Sequence, residues 1–114
     1  MKIGAVSKET GLGIHTIRYY EKQGLIKTLI KDVSGHRIYN LKDVELLNWI
    51  NCMKKSGMPL SRIQEYSKAF YGGNINACLT LLQDHLQHLD KQQQDLRHYI
   101  DVTEDKISSM KSLT

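Results

Sequence analysis

The spacing of apolar residues divides the chain into a series of helices with one short extended interlude. Ile3 and Val6, with Leu12 beyond a break at Gly11, predict a helix over residues 4–10, closed by Gly11 where a helix end takes left-handed backbone. Ile14, Ile17 and Tyr20 recur at helical spacing, with Leu25 a further candidate for the same apolar set beyond the stop at Gly24, so a second helix over residues 14–23 follows across a very short turn. Two short helices joined in this way make a helix-turn-helix. The apolar stretch from Leu25 to Ile30, the turn formers of Lys31-Asp32-Val33-Ser34-Gly35, and the alternation in His36-Arg37-Ile38-Tyr39 together predict a small hairpin. A helix over residues 41–56 carries Leu46, Leu47, Ile50 and Met53 on one face and stops at Gly57. Pro59 suits the first turn of the next helix, where Leu60, Ile63 and Tyr66 or Ser67 share a face. Gly72-Gly73 ends that helix, and Asn74 caps the one that follows.

From Ile75 the apolar positions keep a rhythm of four and three: Ile75, Leu79, Leu82, Leu86, Leu89, Gln93, Leu96, Ile100, Thr103, Ile107 and Met110. This is a coiled-coil seam with two polar interruptions, and such interruptions fix register or orientation at some cost in stability. At 1.5 Å per residue the helix would run roughly 60 Å, too far for its stripe to be buried against its own chain. The pattern therefore predicts a second copy of the chain, paired through residues 74–113, with a separate domain over residues 1–71.

Composition narrows the class. The chain has 114 residues, 40% hydrophobic and 25% charged, enough for one modest core and not for a deep substrate cavity as well. No stretch approaches the roughly 18 apolar residues of a membrane helix, so a cytoplasmic protein without membrane contact is expected. Cys52 and Cys78 stand far apart with no CxxC, which excludes a disulfide framework and a four-cysteine zinc site within one chain. No nucleophile, base and orienter form a local motif, so no enzyme and no cofactor are expected. Charge is uneven: residues 1–70 hold 12 Lys and Arg against 6 Asp and Glu, while residues 71–114 hold 4 against 6. A first half at +6 beside a second at −2 points to a polyanionic partner for the first, since cationic surfaces bind nucleic acid by displacing condensed counterions.

Candidate contacts lie in that basic half. The second helix presents His15, Thr16, Arg18 and Tyr19 away from Ile14 and Ile17, where they reach a major groove or its phosphates. Arg37 and Tyr39 alternate along the hairpin and share one face. Tyr20 falls on the apolar side and is expected in the core.

The segments GAVSKETGLGIHTIRYYEKQGLI, SGHRIYN and LKDVELLNWINCMKKSGMPLSRIQEY resemble the winged helix-turn-helix domain of MerR family transcription regulators, and the heptad helix resembles that family's dimerisation helix. The resemblance covers essentially the whole chain and is specific in TIRYYEKQGLI and GHRIY. It implies a mainly α fold with a small β-hairpin wing, and a homodimer joined by antiparallel long helices. Such a dimer bends and untwists double-stranded promoter DNA when induced, so that RNA polymerase meets realigned promoter elements. By matching positions, Arg18 and Arg37 grip phosphate, Tyr19 and Tyr39 support or touch the backbone, and Thr16 sits nearest the bases. Gly13 departs from the family's usual Ser, Thr or Asn cap, a difference of a few tenths of a kcal/mol.

The signal is less legible. The chain ends KISSMKSLT without the cysteine pair of metal-responsive relatives, so no metal is expected, and His85 and His88 read as solvated side chains. Cys78 reads as a small buried residue beside the seam. Cys52, between an apolar and a polar sector and followed by Lys54 and Lys55, is expected to be partly exposed with a raised thiolate fraction. It resembles the sensing residue of the family's single-cysteine branch, which answers to aldehydes, other electrophiles or thiol oxidants. Two other classes share parts of the pattern: an architectural DNA-binding protein without effector, and a coiled-coil protein-binding adaptor.

Overall fold

The computed structural model describes residues 1–28 and 30–114. It is mainly helical, in the order α1 (Ile3–Thr10), α2 (Ile14–Lys22), β1 (Ile30–Lys31), β2 (Arg37–Ile38), α3 (Leu41–Lys55), α4 (Leu60–Tyr71) and α5 (Ile75–Lys111). Two compact units are present, Met1–Leu79 and Thr80–Thr114.

In the first unit, Gly11 closes α1 with φ 73°, and its N–H donates to the Ser7 carbonyl. Side chains fix the turn into α2: the Ser7 hydroxyl donates to the Leu12 carbonyl at 2.6 Å, and Thr10 Oγ1 accepts from the Leu12 N–H at 3.2 Å. Val6, Ile17 and Tyr20 face inward and meet Val44, Leu46, Leu47 and Ile50 of α3 and Ile63 of α4 in a single core. Burial of these side chains, about 1.5–3 kcal/mol each, holds together helices too short to be stable alone. The start of α3 is pinned twice. Asn40 and Asp43 form a reciprocal capping box, and the second Asp43 oxygen accepts the Tyr71 hydroxyl at 2.9 Å, which ties α3 to the end of α4. The Tyr71 oxygen in turn accepts the Lys27 N–H at 3.1 Å.

The hairpin is smaller than its sequence suggests. Leu25 and Ile26 are 0% and 2% exposed and belong to the core, not to a strand; Leu29, within the same apolar stretch, lies outside the described residues. The paired strands are two residues each, with Ile30 opposite Ile38 and Lys31 opposite Arg37. Their turn is organised by Asp32, whose Oδ1 accepts the N–H groups of Ser34 and His36, each at 2.9 Å, and by Gly35 at φ 81°. In α4, Ile63 and Ser67 are buried as the spacing predicts, whereas Leu60, at the first residue of the helix, is 42% exposed.

The long helix begins where Asn74 accepts the Ala77 N–H at 3.1 Å. Along its seam Ile75, Leu79, Leu86, Leu96, Ile100 and Ile107 are exposed, by 38% to 72%, while Leu82 and Leu89 are half-buried. The buried residues of α5 lie off that seam. Leu81 and His85, four apart, are each 8% exposed, and Cys78, three before Leu81, is half-buried. A second, short apolar face at helical spacing was therefore hidden by the stronger heptad rhythm, and His85 is not the solvated side chain expected of it. Burial, and secondarily His88, hold its imidazole below the ordinary histidine pKa. No helix of the described residues is long and apolar enough to cross a membrane.

Candidate nucleic-acid interface

The inward face of α2 is fixed by Ile17 and Tyr20, 0% and 2% exposed, which forces the intervening residues outward. His15, Arg18 and Tyr19 are exposed and Thr16 is half-buried. Gly13 caps α2 in extended backbone without a side-chain bond.

Beside α2 the hairpin forms the wall of a groove of about 650 Å³ whose lining includes Lys2, Arg18, Lys31, His36 and Arg37. Two features give it an anion-binding character. Lys31 and Arg37 are cross-strand partners, and like charges placed opposite one another repel, a repulsion that an anion between them relieves. The acids nearby are already engaged. Asp32 faces His36 at 3.7 Å and Lys2 at 3.8 Å. The His36 N–H chiefly, with the Ser34 N–H and the charges of His36 and Lys2, holds its carboxyl below the usual range against a smaller opposing effect of desolvation. Glu21 receives the Arg37 guanidinium on one oxygen and the Tyr39 hydroxyl on the other.

Arg37 and Tyr39 do share a face of the hairpin, as their alternation predicts, but they end in different environments. Arg37 keeps 48% of its side chain exposed. Tyr39 is 1% exposed, so its phenol is turned into the core and is closed to direct contact with a DNA backbone. Burial, followed by the bond to Glu21, pushes its pKa well above that of a free phenol. The support half of the role expected of Tyr39 is open to it in this arrangement; the touching half is not. Tyr19, 47% exposed, has the access that Tyr39 lacks.

Sequence reasoning passed over Lys2, Lys31, His36 and Glu21. Lys31 was legible as the residue that a hairpin centred on Ser34 sets opposite Arg37. Glu21 was legible only as a lone acid three residues after Arg18 on a basic helix face, a spacing that brings the two to one side.

The two cysteines differ. Cys52 on α3 is exposed, and the Lys54 ammonium lies 5.6 Å from the Tyr20 ring centroid. Burial pushes the Cys78 thiol up, while its bond with the Tyr66 hydroxyl pulls the other way. Among the described residues no group of three or more His, Cys, Asp or Glu is placed to hold a metal ion.

Comparison with known proteins agrees with this geometry. Residues 1–69 match the model of the MerR HTH family regulatory proteins. The HTH-type transcriptional regulator AdhR of Bacillus subtilis is 35% identical over 91 residues, covering 78% of this chain and 65% of that protein. A MerR family transcriptional regulator from Bacillus thuringiensis superposes with a TM-score of 0.78 at 32% identity, covering 96% of this chain and 97% of that one. HiNmlR, a MerR family regulator lacking the sensor domain and crystallised bound to promoter DNA, superposes with a TM-score of 0.80 at 26% identity, covering 94% and 86%. These relatives are transcriptional regulators, not enzymes, and the chain belongs to the MerR family of helix-turn-helix regulators.

Proposed function

We propose that the chain is a homodimeric transcription regulator that binds double-stranded promoter DNA through residues 1–71 and distorts it when a signal arrives. The observation that carries this reading is the side-by-side placing of the exposed His15, Arg18 and Tyr19 of α2 with the cationic groove of Lys2, Lys31 and Arg37. One set suits a major groove and the other its flanking phosphates. The relative bound to promoter DNA supports the same use of the same fold. Residues 74–113 supply the dimer contact as an antiparallel coiled coil: the exposed Leu86, Leu96, Ile100 and Ile107 form an apolar stripe that a second copy covers. RNA polymerase is affected indirectly, through the shape of the DNA.

Cys52 is the sensing residue in this reading, as in the single-cysteine branch that responds to aldehydes and thiol oxidants. Its exposure admits a reagent, whereas burial raises the Cys78 thiol pKa and leaves less thiolate for attack. An adduct at Cys52 shifts the dimer between two states only so far as they accommodate it differently.

Two experiments test the proposal. Footprinting on the DNA flanking the gene should reveal a protected near-palindrome; absence of any protected site would defeat specific recognition. Promoter output under an aldehyde or a thiol oxidant should be lost in Cys52→Ser and kept in Cys78→Ser, with DNA affinity under reducing conditions unchanged in both. A normal response in Cys52→Ser removes the thiol from the account while leaving DNA binding intact.

A further inference from the structure

We propose that Glu21 is a positioning residue for DNA recognition: its carboxylate, shared by Arg37 and Tyr39, locks the wing against α2 so that Arg37 and Arg18 meet one DNA backbone together. The proposal rests on the DNA-binding reading above and adds to it the residue that makes helix and wing a single recognition surface.

Electrostatics alone gives no reason for an acid here. Glu21 lies on the helix that presents Arg18 and Tyr19, beside a groove whose Lys2, Lys31 and Arg37 favour phosphate, and a carboxylate lowers that attraction. Its side chain is only 6% exposed, so it has surrendered most of its hydration and needs strong partners in return. Those partners come from elsewhere in the chain, 16 and 18 residues away. Oε2 takes the Arg37 guanidinium and Oε1 takes the Tyr39 hydroxyl.

The wing requires such an anchor. Its strands are two residues each, and an isolated two-stranded hairpin is marginal in water. Lys31, directly opposite Arg37, pushes that cation away, and Glu21 draws it back. Tyr39 is seated in the core, and its N–H donates to the Met1 carbonyl at 2.7 Å, so the Glu21 carboxylate bridges a buried anchor and an exposed cation. The guanidinium has five N–H donors. Only Nη1 is bonded to Glu21, and with 48% of its side chain exposed Arg37 retains donors for a phosphate. A cation held in place in advance binds without the entropy cost of ordering a long side chain at the moment of contact.

The opposition between charge and position provides the test. In Glu21→Gln the amide oxygen still accepts the Tyr39 hydroxyl, its NH2 faces the donors of Arg37, and the surface gains one unit of positive charge. A duplex is first selected from a random pool with the unaltered protein, and affinities are measured for it and for a scrambled duplex at fixed salt. Glu21→Gln should bind the scrambled duplex at least as tightly as the unaltered protein does. It should bind the selected duplex about tenfold more weakly, the factor that one charge-assisted hydrogen bond carries. In an Arg37→Ala background the same change should alter affinity by no more than about twofold, the scatter of independent sites. Tyr39→Phe keeps the Arg37 pair but releases the other carboxylate oxygen from its anchor, so it should weaken selected-site binding by more than about twofold and by less than Glu21→Gln does.

Selected-site affinity that is unchanged or higher in Glu21→Gln overturns the proposal, and so does a tenfold loss that persists without Arg37. Should Glu21→Gln fail to fold, Glu21→Asp tests the pair instead. It keeps the charge and draws the carboxylate back by one methylene from Arg37 and Tyr39, and undiminished selected-site affinity there would be equally fatal. Failure of the unaltered protein to enrich any sequence is a different result, and it overturns the DNA-binding reading itself.

Discussion

Replacing Ser67 with Ala should make the protein more stable, although the residue is wholly inside it. Ser67 is 0% exposed on the inner face of α4, four residues after Ile63 at 1%, and its hydroxyl has no hydrogen-bond partner among the described residues. Burying a hydroxyl without compensation costs about 1–3 kcal/mol on mutational scales. Serine is also about half a kcal/mol poorer than alanine inside a helix. Against these stands the void left by one oxygen, smaller than the methyl-sized cavity that costs about 1 kcal/mol. The net expectation is a gain of about 1 kcal/mol, or about 5 °C in melting temperature for a domain of this size. Urea unfolding followed by circular dichroism should show a higher midpoint with an unchanged slope, at one fixed protein concentration because dimerisation makes the midpoint concentration-dependent. A loss of more than about half a kcal/mol would mean instead that the hydroxyl has a partner worth more than its desolvation.

Tyr71→Phe should act in the opposite direction, losing about 2 kcal/mol in the same assay, because it removes a hydrogen bond to the buried Asp43 carboxylate. Burial, with the Asp43 bond also contributing, raises the Tyr71 phenol to about 12; in the unfolded chain it ionises near 10, so this contribution is complete below pH 10 and is lost as pH rises towards 12. Alkaline titration of stability should show that decline, and Tyr71→Phe should flatten it. Gly13→Ser should stabilise by a few tenths of a kcal/mol, because Gly13 has φ −66° and an added Cβ meets only Thr16 Oγ1 at 3.9 Å. Exchanging Leu86 and Leu89 together for Asp should give monomers in sedimentation, since a dimer would bury four unpaired carboxylates; a dimer that survives the exchange would exclude the seam as the contact.

Much of the fold was written in local signals. Gly11, Pro59 and Asn74 mark helix ends through backbone conformation, which depends on the residue itself and its immediate neighbours; Gly11 and Asn74 stand where their chemistry places them, and Pro59 sits one position early, at the extended cap of α4 and not in its first turn. The outward set on α2 was equally legible, because Ile17 and Tyr20 fix the rotation of the helix. Long-range choices were not. Leu25 and Ile26 are as apolar as any strand, and only the packing of α2 against α3 and α4 assigns them to the core. His85 is buried on a face that the heptad pattern masks. Tyr39 alternates like an exposed strand residue, yet it packs into the core and bonds Glu21, 18 residues earlier, a pairing that no periodicity encodes.

Recognition of duplex DNA by the cations of α2 and the wing should show itself in the salt dependence of binding. The logarithm of the association constant for a selected duplex should fall linearly with the logarithm of salt concentration. Arg18→Ala and Arg37→Ala should each make that slope shallower by about 1 per DNA-bound subunit, as the loss of one phosphate contact does. Slopes unchanged in both variants, or an unaltered protein that binds selected duplex and an unrelated polyanion equally at every salt concentration, would mean that these cations do not recognise DNA.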